Sequence, residues 1–173
     1  MKYEKKFLII GNQNAIKYKD IFPLFMTNKI WLGYGFKRNC AHFYTNYEDT
    51  ASDADHREGM IRVSGITWFT NLEIPKRNEE LVLYRKYNPQ DYPTYDNYDA
   101  IEVGTTVAIP EDYDGIMGVP ITFMDKYNPN QFEIVGVFNH GCDSEFDLAK
   151  PILNGKELYS RIAIRKRHKE KNS

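Results

Sequence analysis

The chain has 173 residues, 42% of them hydrophobic, and a net charge of -1. That is enough apolar material for a folded core, and too balanced a charge to point the whole molecule toward nucleic acid. No window approaches the roughly 18 apolar residues of a membrane span, the first residues are charged where a secretory signal would be apolar, and two cysteines make no disulfide framework, so a cytoplasmic protein with free thiols is expected.

The first predicted element is the unbroken apolar run FLII at residues 7–10. A run without polar alternation predicts a strand covered on both faces, as in the middle of a parallel sheet flanked by helices. Residues 14–27 follow as a helical stretch, with Asn14 as its cap and Pro23 kinking or dividing it. Together these make a β-α unit. Strands are predicted at residues 30–34 (IWLGY) and 41–45 (AHFYT), ahead of a polar segment at 48–59 (EDTASDADHREG) expected to form a mobile loop. Residues 60–72 (MIRVSGITWFTNL) have strand composition with a bulge or bend at Gly65. A short strand at 80–84 leads into a region rich in Tyr, Asp, Asn and Pro, with short strands at 100–103 and 121–124. FEIVGVF at 132–138 and LYSRIAI at 158–164 are the last predicted strands. KYNP occurs at 86–89 and again at 126–129; the flanks differ, so two similar turns are expected and no internal repeat.

Few residues suggest catalysis: no glycine-rich phosphate loop, no Ser/His/Asp spacing and no paired carboxylates stand out. Glu48, Asp49, Asp53, Asp55, His56 and Glu58 could be drawn as metal ligands, but a polar loop is usually just solvated. Cys40 with His42 and His140 with Cys142 form two pairs with one intervening residue. Each pair projects to one face of a strand, and together they would supply a tetrahedral zinc set, although structural zinc sites more often space their ligands by two to four residues.

In ITWFTNL, Trp68 and Phe69 point to opposite faces of an extended chain, and Asn71 follows. An exposed aromatic beside an amide suits an extruded nucleobase, which needs a face to stack on and hydrogen bonds at its edge. The alternative is that both rings are core. Lys76 and Arg77 come next, and Arg161, Arg165, Lys166 and Arg167 lie near the far end. Charge is spread unevenly: residues 91–114 hold seven acidic side chains and no Lys or Arg, whereas residues 156–173 hold seven basic and two acidic ones. Arg161 and Arg165 share a strand face, which suits phosphate contact, while a basic tail is equally common as a solvated end.

Taken in order, KFLIIGNQNAIKYKDIFPLF, IWLGYGF, ITWFTNL, YPTYDNYDAI, IPEDYDGIMGVPITFMDKYNPNQFEIVG and GKELYSRIAIRKR resemble the EcoRI-type family of adenine-specific DNA methyltransferases. The similarity spans residues 7–167 and is weakest at 38–59. It implies an α/β fold: residues 1–74 as the C-terminal part of a Rossmann-like class I methyltransferase sheet, and residues 75–173 as a mixed, strand-rich DNA target-recognition region. In that frame residues 7–10 would be the fifth strand, with the first four absent from the chain and Met1 internal to the family's pattern.

The family's S-adenosylmethionine loop and its Asn-Pro-Pro-aromatic motif would both lie upstream. Asn88-Pro89-Gln90 and Asn128-Pro129-Asn130 lack the second proline and the aromatic, so no catalytic role is carried onto them. The resemblance therefore implies a truncated part of a restriction-modification enzyme that binds double-stranded DNA, does not itself bind S-adenosylmethionine, and is inactive without the missing N-terminal half. Trp68 and Phe69 would fall where amino-methyltransferases place the aromatic that stacks on flipped adenine, and the acidic segment 91–114 would face away from DNA. The alternatives are a non-catalytic DNA-binding specificity module or partner subunit, and a zinc-stabilised domain of unrelated role.

Overall fold

The computed structural model describes residues 5–36, 40–48, 56–139 and 147–167, and shows an α/β chain with mixed sheets and few helices. The first strand, β1 (Leu8–Asn12), runs into a 3-10 turn, Gln13–Lys17. The Asn12 side chain accepts a hydrogen bond from the Asn14 amide at 2.8 Å, so the capping role falls to Asn12 and not to Asn14. Helix α1 (Phe22–Met26) follows with Pro23 in its first turn, where the missing N–H costs nothing. The predicted helical stretch is thus divided. Phe22 and Phe25 are buried, each worth roughly 1.5–3 kcal/mol of transfer free energy.

Strand β2 (Trp31–Leu32) is shorter than predicted. Strands β3 (Cys40–Tyr44) and β4 (Met60–Ser64) form a separate antiparallel pair. Gly65 then turns the chain with φ of 67°, a region that glycine enters without penalty, and β5 (Ile66–Thr70) begins immediately. The first sheet has the order β1-β5-β2, with β5 antiparallel to both neighbours. Within this chain the FLII run has neither a parallel neighbour nor cover on both faces: among the described residues β1 pairs with β5 alone, and Leu8 and Ile9 are 54% and 56% exposed.

The second sheet contains β6 (Ala100–Glu102), β7 (Ile116–Val119), β8 (Phe132–Phe138), β9 (Asp147–Leu148) and β12 (Arg161–Lys166) in the order β6-β7-β12-β8-β9. A small hairpin of β10 (Ile152–Leu153) and β11 (Lys156–Glu157) precedes its central strand. Two predicted strands take other forms. Residues 121–124 lie in a 3-10 helix, Ile121–Asp125, entered from Pro120, while β7 beside it is the element that pairs in the sheet. Residues 80–84 belong to no named strand, and within them the Gln131 side-chain amide pairs with the main chain of Leu81. Its Oε1 accepts from Leu81 N at 2.8 Å and its Nε2 donates to Leu81 O at 2.7 Å. Both KYNP segments turn on their asparagines: Asn88 Oδ1 accepts from Asp91 N, and Asn128 Oδ1 accepts from Asn130 N.

One apolar cluster joins Ile16, Phe22 and Phe69 to Met117, Phe132 and Ile162, so it crosses the 74/75 boundary. A smaller cluster of Tyr95, Ala100, Phe138 and Ala163 covers the other face of the second sheet. Among the described residues no helix is long and apolar enough to cross a membrane.

Candidate nucleic-acid interface

Alternation along β5 separates the two aromatics. Phe69 is buried and meets Phe25 edge-on, with ring centroids 6.1 Å apart. Trp68 is half-buried on the opposite face, where Phe36 stacks on it at 5.6 Å with the rings 29° apart. The main chain of Trp68 is also tied, its carbonyl accepting from Gly33 N at 2.8 Å. Phe36 is a partner that the sequence did not single out; its signal was the aromatic at the end of IWLGYGF.

Asn71 is buried, and its amide is occupied at both ends. Oδ1 accepts from Phe7 N at 2.9 Å and Nδ2 donates to Lys5 O at 2.9 Å. Thr70 Oγ1 adds a bond to Phe7 O at 2.7 Å. The end of β5 therefore fastens the residues that lead into β1.

Lys76 and Arg77 sit on a 3-10 turn, Pro75–Asn78, against the outer side of β2. The Lys76 ammonium donates to Gly33 O at 3.1 Å, pairs with Asp125 and lies 5.8 Å from the Tyr34 ring centroid. Arg77 stacks 3.9 Å from the Trp31 ring and donates to Asn28 Oδ1 at 3.0 Å. Burial lowers the Arg77 pKa from its ordinary value, with Glu73 and Tyr127 opposing, but an arginine stays charged regardless. Trp31 Nε1 donates to Leu72 O at 2.8 Å, completing an aromatic and cationic lip beside Trp68's strand.

The four distal cations all have partners within the chain. Arg161 Nη2 and Nε donate to Glu102 Oε1 at 2.7 and 3.0 Å, and the Tyr95 hydroxyl donates to the same carboxylate. Only 16% of the Arg161 side chain and 12% of the Glu102 side chain are exposed. Burial, reinforced by Glu102, pushes the Tyr95 phenol well above its ordinary pKa. Arg165 pairs with Glu133, its register partner on β8, at 2.8 Å and is 48% exposed. Lys166 donates to Glu111 O and lies 3.4 Å from Asp114, while Arg167 Nε donates to Pro129 O at 2.9 Å. The acidic segment 91–114 thus meets the basic end of the chain, through Arg161 with Glu102 and Lys166 with Asp114.

Among the described residues no group of three or more His, Cys, Asp or Glu could hold a metal. Cys40 and His42 lie on β3, while His140 and Cys142 fall outside the described residues, as do Asp49, Asp53 and Asp55 of the polar segment. A cleft of about 230 Å³ lies between β1 and the helical turn, lined by Phe7, Ile9, Ile21, Leu24, Ile30 and Phe69 among others, all apolar. The residues present here do not fit S-adenosylmethionine, whose ribose, adenine edge and amino-acid group need hydrogen-bonding partners.

Comparison with known proteins returns one consistent picture. The family described as Adenine-specific methyltransferase EcoRI matches residues 1–172. Type II methyltransferase M.EcoRI of Escherichia coli is 46% identical, over 99% of this chain and 53% of its own length. Type II methyltransferase M.MgeORF184P of Mycoplasma genitalium is 35% identical, over 96% of this chain and 58% of its own. Type II methyltransferase M.MpnI of Mycoplasma pneumoniae is 34% identical, over 78% of this chain and 44% of its own. The chain spans about half the length of the curated relatives it matches. No solved structure matches it.

Proposed function

The chain belongs to the EcoRI-type adenine-specific methyltransferase family, and from that premise we propose that it supplies the DNA-recognising and base-holding part of a site-specific enzyme of a restriction-modification system. The complete enzyme moves a methyl group from S-adenosylmethionine to the exocyclic amine of adenine in double-stranded DNA. The observation that carries this reading is 46% identity to a type II methyltransferase across 99% of the chain. Cofactor binding and the amine-holding motif belong to the remaining half of such an enzyme, and the 173 residues taken alone transfer no methyl group.

Trp68 is the stacking ring in this proposal. It stands on the outer face of β5, while Phe69 anchors the strand in the core and Asn71 fixes the start of β1. Phe36 shields one face of the Trp68 indole, so an extruded adenine stacks on the other face or takes the place of Phe36. Residues 1–74 thus serve the base, and residues 75–173 serve the duplex. Arg165 is the strongest candidate for a phosphate contact, because its exposed pair with Glu133 contributes little and exchanges readily for phosphate. Arg167 and Arg77, whose hydrogen bonds go to the neutral oxygens of Pro129 and Asn28, would add charge to that contact, whereas Lys76 and Lys166, each paired with a carboxylate, and Arg161 act within the fold.

The test is a duplex-binding titration of the chain at two salt concentrations, with S-adenosylmethionine binding followed by calorimetry on the same sample. Salt-dependent DNA binding without cofactor binding is expected. Cofactor binding by the isolated chain, or no DNA binding at either salt concentration, would overturn the proposal.

A further inference from the structure

Among the described residues, β3 and β4 form a ribbon of two strands that belongs to neither of the larger sheets. Its register sorts the side chains by chemistry. His42 lies opposite Arg62, Cys40 opposite Ser64 and Tyr44 opposite Met60, so these six share one face. Ala41, Phe43, Ile61 and Val63 make up the other, which is apolar throughout. The first face carries a guanidinium, an imidazole and two hydroxyls, and no carboxylate. Tyr44 is 84% exposed at one end of it and Ser64 is exposed at the other, with His42 and Arg62 half-buried between them.

These groups match the edges that base pairs present in the major groove of a duplex. An arginine fork donates to both O6 and N7 of guanine, a neutral imidazole donates at one nitrogen and accepts at the other, and a hydroxyl does either. The groove is about 12 Å wide and admits a ribbon whose two strands lie about 4.8 Å apart. Charge sets the direction of approach. Glu48 and Glu58 lie past Tyr44 and Met60, where phosphates would repel them, so the end toward Gly65 is the one that nears the duplex.

That end is also the one joined to β5. The Gly65 carbonyl accepts from Gln13 N at 2.7 Å, which fastens the root of the ribbon to the first sheet. Arg62 and Trp68 are six residues apart in sequence. At about 3.3 Å per residue they are separated by no more than about 20 Å. A duplex strand advances about 3.4 Å per nucleotide, so Arg62 stays within about six base pairs of an adenine stacked on Trp68.

We propose that the polar face of this ribbon reads base edges in the major groove beside the extruded adenine, with Arg62 holding a guanine and His42 and Ser64 on adjoining base pairs. The inference rests on the reading of this chain as the DNA-recognising part of a methyltransferase. It assigns sequence readout to residues 40–64, while cations of residues 75–173 position the duplex through its phosphates.

The experiment first selects a preferred duplex for the 173-residue chain from a pool of randomised base pairs. Titrations then compare that duplex with copies in which single guanines are exchanged for another base or for 7-deazaguanine, which lacks the N7 acceptor. The parent should favour guanine at one position by about 5- to 150-fold and lose affinity with 7-deazaguanine there. Arg62→Ala should lose both the preference and the sensitivity at that position alone. Arg62→Lys keeps the charge and the aliphatic stem but not the fork, so it serves if the alanine variant fails to fold. It should lose the preference while binding unselected duplex like the parent. Tyr159→Ala, at an 88% exposed position elsewhere, should keep the full preference.

Binding by the parent without base preference, or a selected duplex indifferent to 7-deazaguanine at every position, would overturn the proposal. So would a preference that survives intact in both Arg62 variants. Self-association of the chain that both variants abolish, with base preference retained, would assign the face to a second copy instead. Failure of the chain to bind any duplex would overturn the functional reading and this inference with it, whereas the other results strike the ribbon alone.

Discussion

Arg161 and Arg165 lie four residues apart on one strand, yet replacing each with alanine should have opposite consequences. Arg161→Ala leaves the largely buried Glu102 carboxylate facing the Tyr95 hydroxyl with its cation gone. Breaking a buried pair by removing one partner costs about 3–5 kcal/mol, and the residual exposure of these side chains places this one near the lower figure. At about 2–4 °C per kcal/mol for a chain of this size, the melting temperature should drop by roughly 6–12 °C. Arg165→Ala removes a pair of which 48% and 39% are exposed, worth about 0–1 kcal/mol, so melting should move by at most about 4 °C. DNA binding should order the two variants the other way. If Arg165 neutralises one phosphate, its loss reduces the slope of log affinity against log salt by about 0.9, and Arg161→Ala leaves the slope unchanged. Thermal melting by circular dichroism and anisotropy titrations of labelled duplex at two salt concentrations measure both quantities. Equal, small melting shifts for the two variants, or a reduced salt slope in Arg161→Ala, would refute this division of roles.

Three further outcomes follow from single positions. A Cβ at Gly118 would lie 2.0 Å from the Tyr95 hydroxyl, so Gly118→Ala should destabilise by about 1–3 kcal/mol through forced displacement of Tyr95; unchanged melting would refute that packing. Burial raises the phenol pKa of Tyr95 and Tyr127, so above the ordinary value of about 10 the folded chain retains protons that the unfolded chain releases. Their contribution to stability is complete below about pH 10 and declines as pH rises beyond it, which urea unfolding across that range will show, with phenolate absorbance appearing alongside unfolding. In the complete enzyme assembled around this chain, Trp68→Ala should remove about 1–3 kcal/mol of stacking from the flipped state. Fluorescence of a base analogue at the target adenine would then fall while duplex affinity changes little, and an undiminished signal would rule out the stacking role.

Some of this architecture is legible in the sequence because the cause is local. Gly65 divides β4 from β5 since the chain needs a positive φ there, and FEIVGVF has the length and β-branching of a strand wherever it is placed. Pro23 likewise announces the division of the first helical stretch. Other features depend on partners far away in sequence. Residues 121–124 are an apolar run that fits a helix as well as a strand, and only the neighbouring β7 shows which element joins the sheet. β7 itself is not legible in the sequence because IMGV is short and sits among Gly115, Gly118 and Pro120.

The candidate interface divides along the same line. Alternation on β5 separates Trp68 from Phe69, but it cannot tell which faces inward; the core around Phe25 decides that. Even spacing puts Arg161 and Arg165 on one side of β12, yet the strand order β6-β7-β12 brings Glu102 to the first and leaves Glu133 for the second. A local pattern can nominate a cation for DNA, whereas tertiary pairing decides whether that cation remains available.

The most direct test of the central claim is methyl transfer in a reconstituted mixture. Labelled S-adenosylmethionine and duplex DNA would be supplied to this chain, to the unmatched part of the E. coli relative, and to both together. The account predicts labelled adenine only when both polypeptides are present. Methyl transfer by this chain alone, or none from a mixture in which the two polypeptides demonstrably bind each other and the DNA, would contradict it.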